Sequence, residues 1–156
     1  MQTRESILAG HSFFRDLQPA HLQVLAGCAA NVRFNTGQII CKEGDEADYF
    51  YLIRHGRVVV EIEGREQTPV AVQALDPNEV LGWSWLVPPH RWRFQARAVE
   101  DTRALALDGK CLRTKCEEDR DLGYELLKRF VQIMAQRLEA TRWQLADTYD
   151  MRTLSN

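Results

Sequence analysis

The hydrophobic pattern of this chain changes period twice. From Ser12 to Cys28 the apolar positions suit a helix, with Phe13, Phe14 and Leu17 followed by Leu22, Val24 and Leu25. Pro19 suits a first helical position and Gly27 a helix end. From Asn31 the period becomes two. Val32 and Phe34 alternate with polar neighbours, and short strands are predicted over Gln38–Cys41, Tyr49–Arg54, Arg57–Glu63, Val70–Leu75, Phe94–Val99 and Thr102–Leu107. Turn residues separate them: Thr36-Gly37, Glu43-Gly44-Asp45, Asp76-Pro77-Asn78 and Glu100-Asp101. His55-Gly56 reads as a hairpin joining the two best-patterned strands, Tyr49–Arg54 and Arg57–Glu63. Many short strands at regular spacing predict a closed or sandwiched antiparallel sheet.

After Asp108 the period is helical again. A short helix is predicted over Gly109–Glu118 and a long one over Leu122–Tyr149. The long helix carries two apolar sets. Leu126, Phe130 and Ile133 suit packing on the sheet. A heptad-like stripe of Leu127, Val131, Met134, Leu138, Thr141, Leu145 and Thr148 runs well past that first set, so it is expected to meet a partner helix in a homodimer. One broad face lying on its own domain is the alternative. The division expected is a single domain over 1–156: an N-terminal helical part over 1–30, a β-roll over 31–108 and C-terminal helices over 109–156.

Composition narrows the function classes. The 156 residues are 45% hydrophobic and 27% charged with a net charge of −2, which suits one soluble globular domain. That charge gives no basic surface for nucleic acid. No apolar run approaches a membrane span, and the N-terminus lacks an apolar signal core, so a cytoplasmic location without membrane contact is expected. Cys28, Cys41, Cys111 and Cys116 form no C-x-x-C pair and are read as free thiols in a reducing compartment. His11, His21, His55 and His90 are scattered, whereas a metal-dependent jelly-roll enzyme needs clustered histidines. Neither enzyme activity nor a metal is expected. Glu43 and Asp45 suit solvated turn charges.

The stretch Val80–Ala98, V-L-G-W-S-W-L-V-P-P-H-R-W-R-F-Q-A-R-A, holds three of the four tryptophans. A one-turn helix, a proline corner and a strand are expected to enclose a small pocket there. The large rings either line it or fill it. Alternation with Ala96 and Ala98 puts Trp92 and Phe94 on the inner face, and Arg91, Arg93, Gln95 and Arg97 on the outer one. A bulge would instead bring Arg91 or Arg93 inward.

The chain resembles a cyclic nucleotide-binding domain of the catabolite activator type over nearly its whole length. The motifs that carry the resemblance are F-N-T-G-Q-I-I-C-K-E-G-D at Phe34–Asp45, Y-F-Y-L-I-R-H-G-R-V-V-V at Tyr49–Val60, the turn glycines Gly37, Gly44 and Gly56, and A-R-A at Ala96–Ala98. The resemblance implies a mainly β fold with flanking α-helices, an antiparallel jelly roll (double-stranded β-helix) followed by a long C-terminal helix. It implies a stand-alone regulatory sensor that binds a cyclic nucleotide, cAMP or cGMP, or a related small ligand, and signals through that helix.

The implied ligand site is Leu81, Gly82, Trp83, Ser84, Trp85, Arg91, Trp92 and Arg93. In the family, backbone amides and one arginine hold the cyclic phosphate and a glutamate accepts the ribose hydroxyl. Here Gly82 matches, but Trp83 occupies the glutamate position, and the arginine position, counted back from Ala98, falls on Trp92, with Arg91 and Arg93 on either side as the alternatives. Weak binding of the ordinary cyclic nucleotides is therefore expected. The alternative is a ligand-independent dimerisation or interaction module whose roll is plugged by tryptophan. The family's transcription factors continue into a winged helix-turn-helix. This chain ends at Asn156, so no direct DNA contact is expected.

Overall fold

The computed structural model describes residues 3–154. Its helices are α1 (Arg4–Gly10), α2 (Pro19–Gly27), α3 (Gly109–Glu118) and α4 (Arg120–Leu154). Its strands are β1 (Ala29–Phe34), β2 (Ile39–Cys41), β3 (Tyr49–His55), β4 (Val58–Glu63), β5 (Pro69–Leu75), β6 (Val80–Leu81), β7 (Gln95–Ala98) and β8 (Thr102–Asp108). They form two four-stranded antiparallel sheets, ordered β1-β8-β3-β6 and β2-β7-β4-β5. This is the jelly-roll class with flanking helices.

The helix predicted over Ser12–Cys28 is a 3-10 turn followed by α2, and α1 precedes it where no helix is predicted. Thr3 caps α1, its Oγ1 accepting from the Ser6 amide at 3.1 Å. His11 then ends that helix and caps a 3-10 turn over Ser12–Phe14 through Nδ1, which accepts from the Phe13 amide at 3.2 Å. Asp16 takes φ +67°, and the chain restarts at Pro19. Phe13, Phe14 and Leu17 all reach the core from this segment.

The expected hairpin at His55-Gly56 is a corner between sheets. β3 pairs with β8 and β6, while β4 pairs with β5 and β7. Gly56 has φ +94°, and a Cβ there would lie 2.4 Å from the Asp101 carbonyl oxygen. Only glycine fits so tight a passage. The roll thus starts at Ala29, two residues earlier than expected, because β1 pairs with β8 from Ala29 opposite Leu107.

Two apolar clusters form the core. One fills the roll between the sheets, with Phe34, Ile53, Val58, Leu81, Trp92 and Ala98 among its members. The other lies between the first sheet and the helices, and gathers Leu8, Phe14, Phe50, Trp85, Leu112 and Phe130. On α4, Leu126 and Phe130 are buried and Ile133 is partly buried, so the shorter apolar set does pack on the domain. Leu127, Val131, Met134, Leu138 and Leu145 are exposed by 37–59%. Among the described residues no helix is long and apolar enough to cross a membrane.

The expectation of four free thiols is corrected. Cys28 and Cys111, 83 residues apart, are joined as a disulfide with Cα atoms 6.2 Å apart. The fold brings them together because β1 starts beside the end of β8: Asp108 donates its amide to the Cys28 carbonyl at 2.9 Å. Cys41 and Cys116 are free.

Candidate functional site

Between β6 and β7 the chain makes a hydrogen-bonded turn, with the Leu86 amide donating to the Trp83 carbonyl at 3.1 Å. The one-turn helix expected there is absent. Proline at 88 and 89 and the bulk of the adjacent rings leave no run of residues able to extend a helical turn. The Pro88–Pro89 bond is cis, and His90 takes φ +58°.

The three tryptophans of this stretch have three destinations. Trp92 is 5% exposed and lies inside the roll. It stacks with Tyr51 at 6.5 Å and meets Phe94 at 5.7 Å. Its backbone is pinned by the loop before β3: the Trp92 amide donates to the Asp45 carbonyl at 2.9 Å and its carbonyl accepts from the Gly44 amide at 2.8 Å. Gly82, with φ +102°, lies directly against the Trp92 ring. A Cβ added there would sit 2.7 and 2.8 Å from two ring carbons. The indole thus fills the space that the glycine leaves open.

Trp85 is fully buried outside the roll, in the cluster beneath α4. It stacks on Phe50 at 5.0 Å and meets the edge of Phe130 at 5.5 Å. Its carbonyl accepts from Arg113 of α3. Trp83 is partly buried, and the Arg93 guanidinium lies 5.5 Å from its ring centroid. Ser84 is fully buried, and neither its Oγ nor the Trp85 Nε1 has a hydrogen-bond partner.

Neither flanking arginine enters the roll. Arg91 is exposed and donates to the Gly44 carbonyl at 2.9 Å. Arg93 is exposed and donates to the Pro88 carbonyl at 3.3 Å. Of the eight candidate residues, Leu81, Gly82 and Trp92 therefore meet at the inner face, Trp85 lies in the helical cluster with Trp83 packed partly buried against it, Ser84 is buried, and Arg91 and Arg93 are exposed.

Sequence reasoning missed a second feature. A groove of about 430 Å³ runs between α4 and the β5–β6 edge, lined by Gln73, Leu75, Glu79, Val80, Arg137 and Ala140, among others. Arg137 and Gln144, two turns apart on α4, both donate to the Val72 carbonyl, at 3.0 and 3.3 Å. That carbonyl is available because β5 bulges there: Val60 pairs with Gln73 and Glu61 with Ala71, leaving Val72 between them. Neither the bulge nor the helix–strand contact has a sequence signal.

Among the described residues the buried carboxylate is Glu61. Arg97, bonding both its oxygens at 3.1 and 3.2 Å, holds it below the usual carboxylate range, with help from Gln95. Burial pushes Tyr51 and Cys41 each up to about 12. No group of three or more His, Cys, Asp or Glu side chains among the described residues is arranged to hold a metal ion.

Comparisons with known proteins agree with this architecture. A family model described as "Cyclic nucleotide-binding domain" matches residues 31–119. The chain is 24% identical over 143 residues to a CRP-like cAMP-activated global transcriptional regulator of Mycobacterium tuberculosis, covering 92% of this chain and 62% of that protein. It is 28% identical over 115 residues to a cAMP-dependent protein kinase regulatory subunit of Dictyostelium discoideum, covering 72% of this chain and 35% of the other. The chain thus spans less than two thirds of either relative. Among solved structures, a candidate cyclic nucleotide-binding protein from Geobacter metallireducens GS-15 superposes with a TM-score of 0.78 at 27% identity, covering 88% of this chain and 99% of that one. The sensor domain of a transcriptional regulator from Pseudomonas aeruginosa superposes with a TM-score of 0.69 at 19% identity, covering 86% and 91%.

Proposed function

The chain belongs to the cyclic nucleotide-binding domain family, and from that premise we propose that it is a regulatory domain whose roll is closed from within by Trp92. In this reading it acts as a homodimer joined along α4 and holds neither cAMP nor cGMP tightly. The observation that carries it is the Trp92 ring packed on Gly82. A cyclic phosphate held in the family's manner needs that glycine's open face and an inward arginine. The indole takes the first, and Arg91 and Arg93 are both bonded outside the roll. The dimer is supported by the exposed stripe Leu127, Val131, Met134, Leu138 and Leu145. Five large apolar side chains on one helix in water are costly to leave uncovered.

Coupling between roll and helix does not require a ligand in this arrangement. Trp85 joins the turn after β6 to Phe130 of α4, and Val72 of β5 is bonded to Arg137 and Gln144 of α4. A second reading rests on the α4–β5 groove, which is large enough for a small polar molecule. Native mass spectrometry of the purified protein separates the two. A protein that carries no small molecule supports the closed roll. A stoichiometric small molecule, released on denaturation, contradicts it and favours the groove.

A further inference from the structure

We propose that Cys28 and Cys111 form a redox-responsive pair that fastens the root of the C-terminal helices to the start of the roll and releases it on reduction. The inference is independent of any ligand. Cys28 follows α2 and immediately precedes β1, and Cys111 lies in the first turn of α3. The bond therefore crosses from the N-terminal helical part to the element that leads into α4. At the other end of α3, His21 of α2 lies 3.5 Å from Asp119, the residue between α3 and α4. α3 is thus held to α2 at both ends, once covalently and once by a polar contact. Opening the covalent tie leaves α3 attached through Leu112, the Arg113–Trp85 contact, the contacts of Gly109 and Lys110 with Asp48, and the His21–Asp119 contact.

The two sulfurs differ in access. Cys28 is 8% exposed, whereas Cys111 is only partly buried, so a reagent thiolate meets Cys111 first. It attacks the Cys111 sulfur, a mixed disulfide forms there, and Cys28 leaves as a thiolate that takes up a proton. A second reagent thiolate attacks the reagent sulfur of that mixed disulfide and frees Cys111. A peroxide reverses the change. The Cys111 thiolate attacks one oxygen, leaving a sulfenic acid and releasing water after protonation. Cys28 then attacks the sulfenic sulfur, expelling hydroxide, which is protonated to a second water. The remaining thiols are poor substitutes. Cys41 is buried in the roll, where burial pushes its thiol up to about 12, and Cys116 is half-buried with its pKa raised by burial and by Asp119.

The test uses the full chain in glutathione buffers of graded ratio, with alkylation and mass spectrometry to count thiols. Amide exchange is followed in the oxidised and reduced forms. The expected result is a bond that opens without denaturant and returns with hydrogen peroxide. On opening, exchange across 109–118 should quicken about tenfold while β3 and β8 hold their protection, and the thermal midpoint should fall by roughly 5–15 °C. The Cys28→Ser/Cys111→Ser double variant should match the reduced form and ignore peroxide. If that variant does not fold, the reduced unmutated protein alone decides. A bond that opens only in denaturant overturns the proposal, as does an exchange pattern that reduction leaves unchanged. So does peroxide that modifies Cys116 instead of restoring the pair.

Discussion

Trp92 and Gly82 are one structural unit at the residue scale. Trp92→Ala removes a buried indole from the roll and is expected to cost about 3–5 kcal/mol. Gly82→Ala inserts a methyl group 2.7 Å from a ring carbon at a positive φ and should cost about 1–3 kcal/mol by overpacking. Denaturant titration measures both, and near-additive losses in the double variant would show that the two residues are not packed as one. His11 supplies a pH dependence. Burial lowers its pKa below the ordinary value, so the unfolded chain binds a proton near pH 6.5 that the folded chain still refuses. Stability should be full above that pH and fall as the pH drops through the window just below it. His11→Asn keeps an acceptor for the Phe13 amide and should flatten that part of the curve. The inward position of Trp92 was legible from its alternation with Ala96 and Ala98. The destination of Trp85 was not, because it lies in an irregular turn with no period to follow.

At the scale of elements, the long helix was the most readable part of the chain, since two apolar sets at helical spacing distinguish a packed face from an uncovered one. Leu126 and Phe130 are buried, and Leu138 is 54% exposed. Leu138→Asp should therefore leave the circular dichroism of the fold unchanged while raising the dimer dissociation constant by at least about tenfold. Sedimentation of the unmutated protein as a monomer at high concentration would contradict the dimer. The sheets were less legible than their strands. Strand positions follow from alternation, but a glycine turn looks the same in sequence whether its flanking strands pair or cross between sheets, and Gly56 does the latter. The two-residue strand β6 is too short to show a period, and the disulfide depends on a β1–β8 pairing that no local pattern encodes.

For the whole molecule, the family follows from turn glycines and strand spacing, and those same features are silent on ligand because they serve the backbone. The ligand question lies at Trp83, and at Trp92 between Arg91 and Arg93, the positions that the resemblance sets against the family's glutamate and arginine. Each lost charge-assisted hydrogen bond is worth about 1.5–3 kcal/mol, so losing both weakens binding by about a hundredfold or more. Filling the corner with the Trp92 ring adds a steric barrier to that loss. Isothermal titration calorimetry of the unmutated protein with cAMP and with cGMP tests this most directly. The account predicts no saturable heat from either nucleotide up to about 100 μM, and a dissociation constant of about 1 μM or tighter for either one would contradict the closed roll.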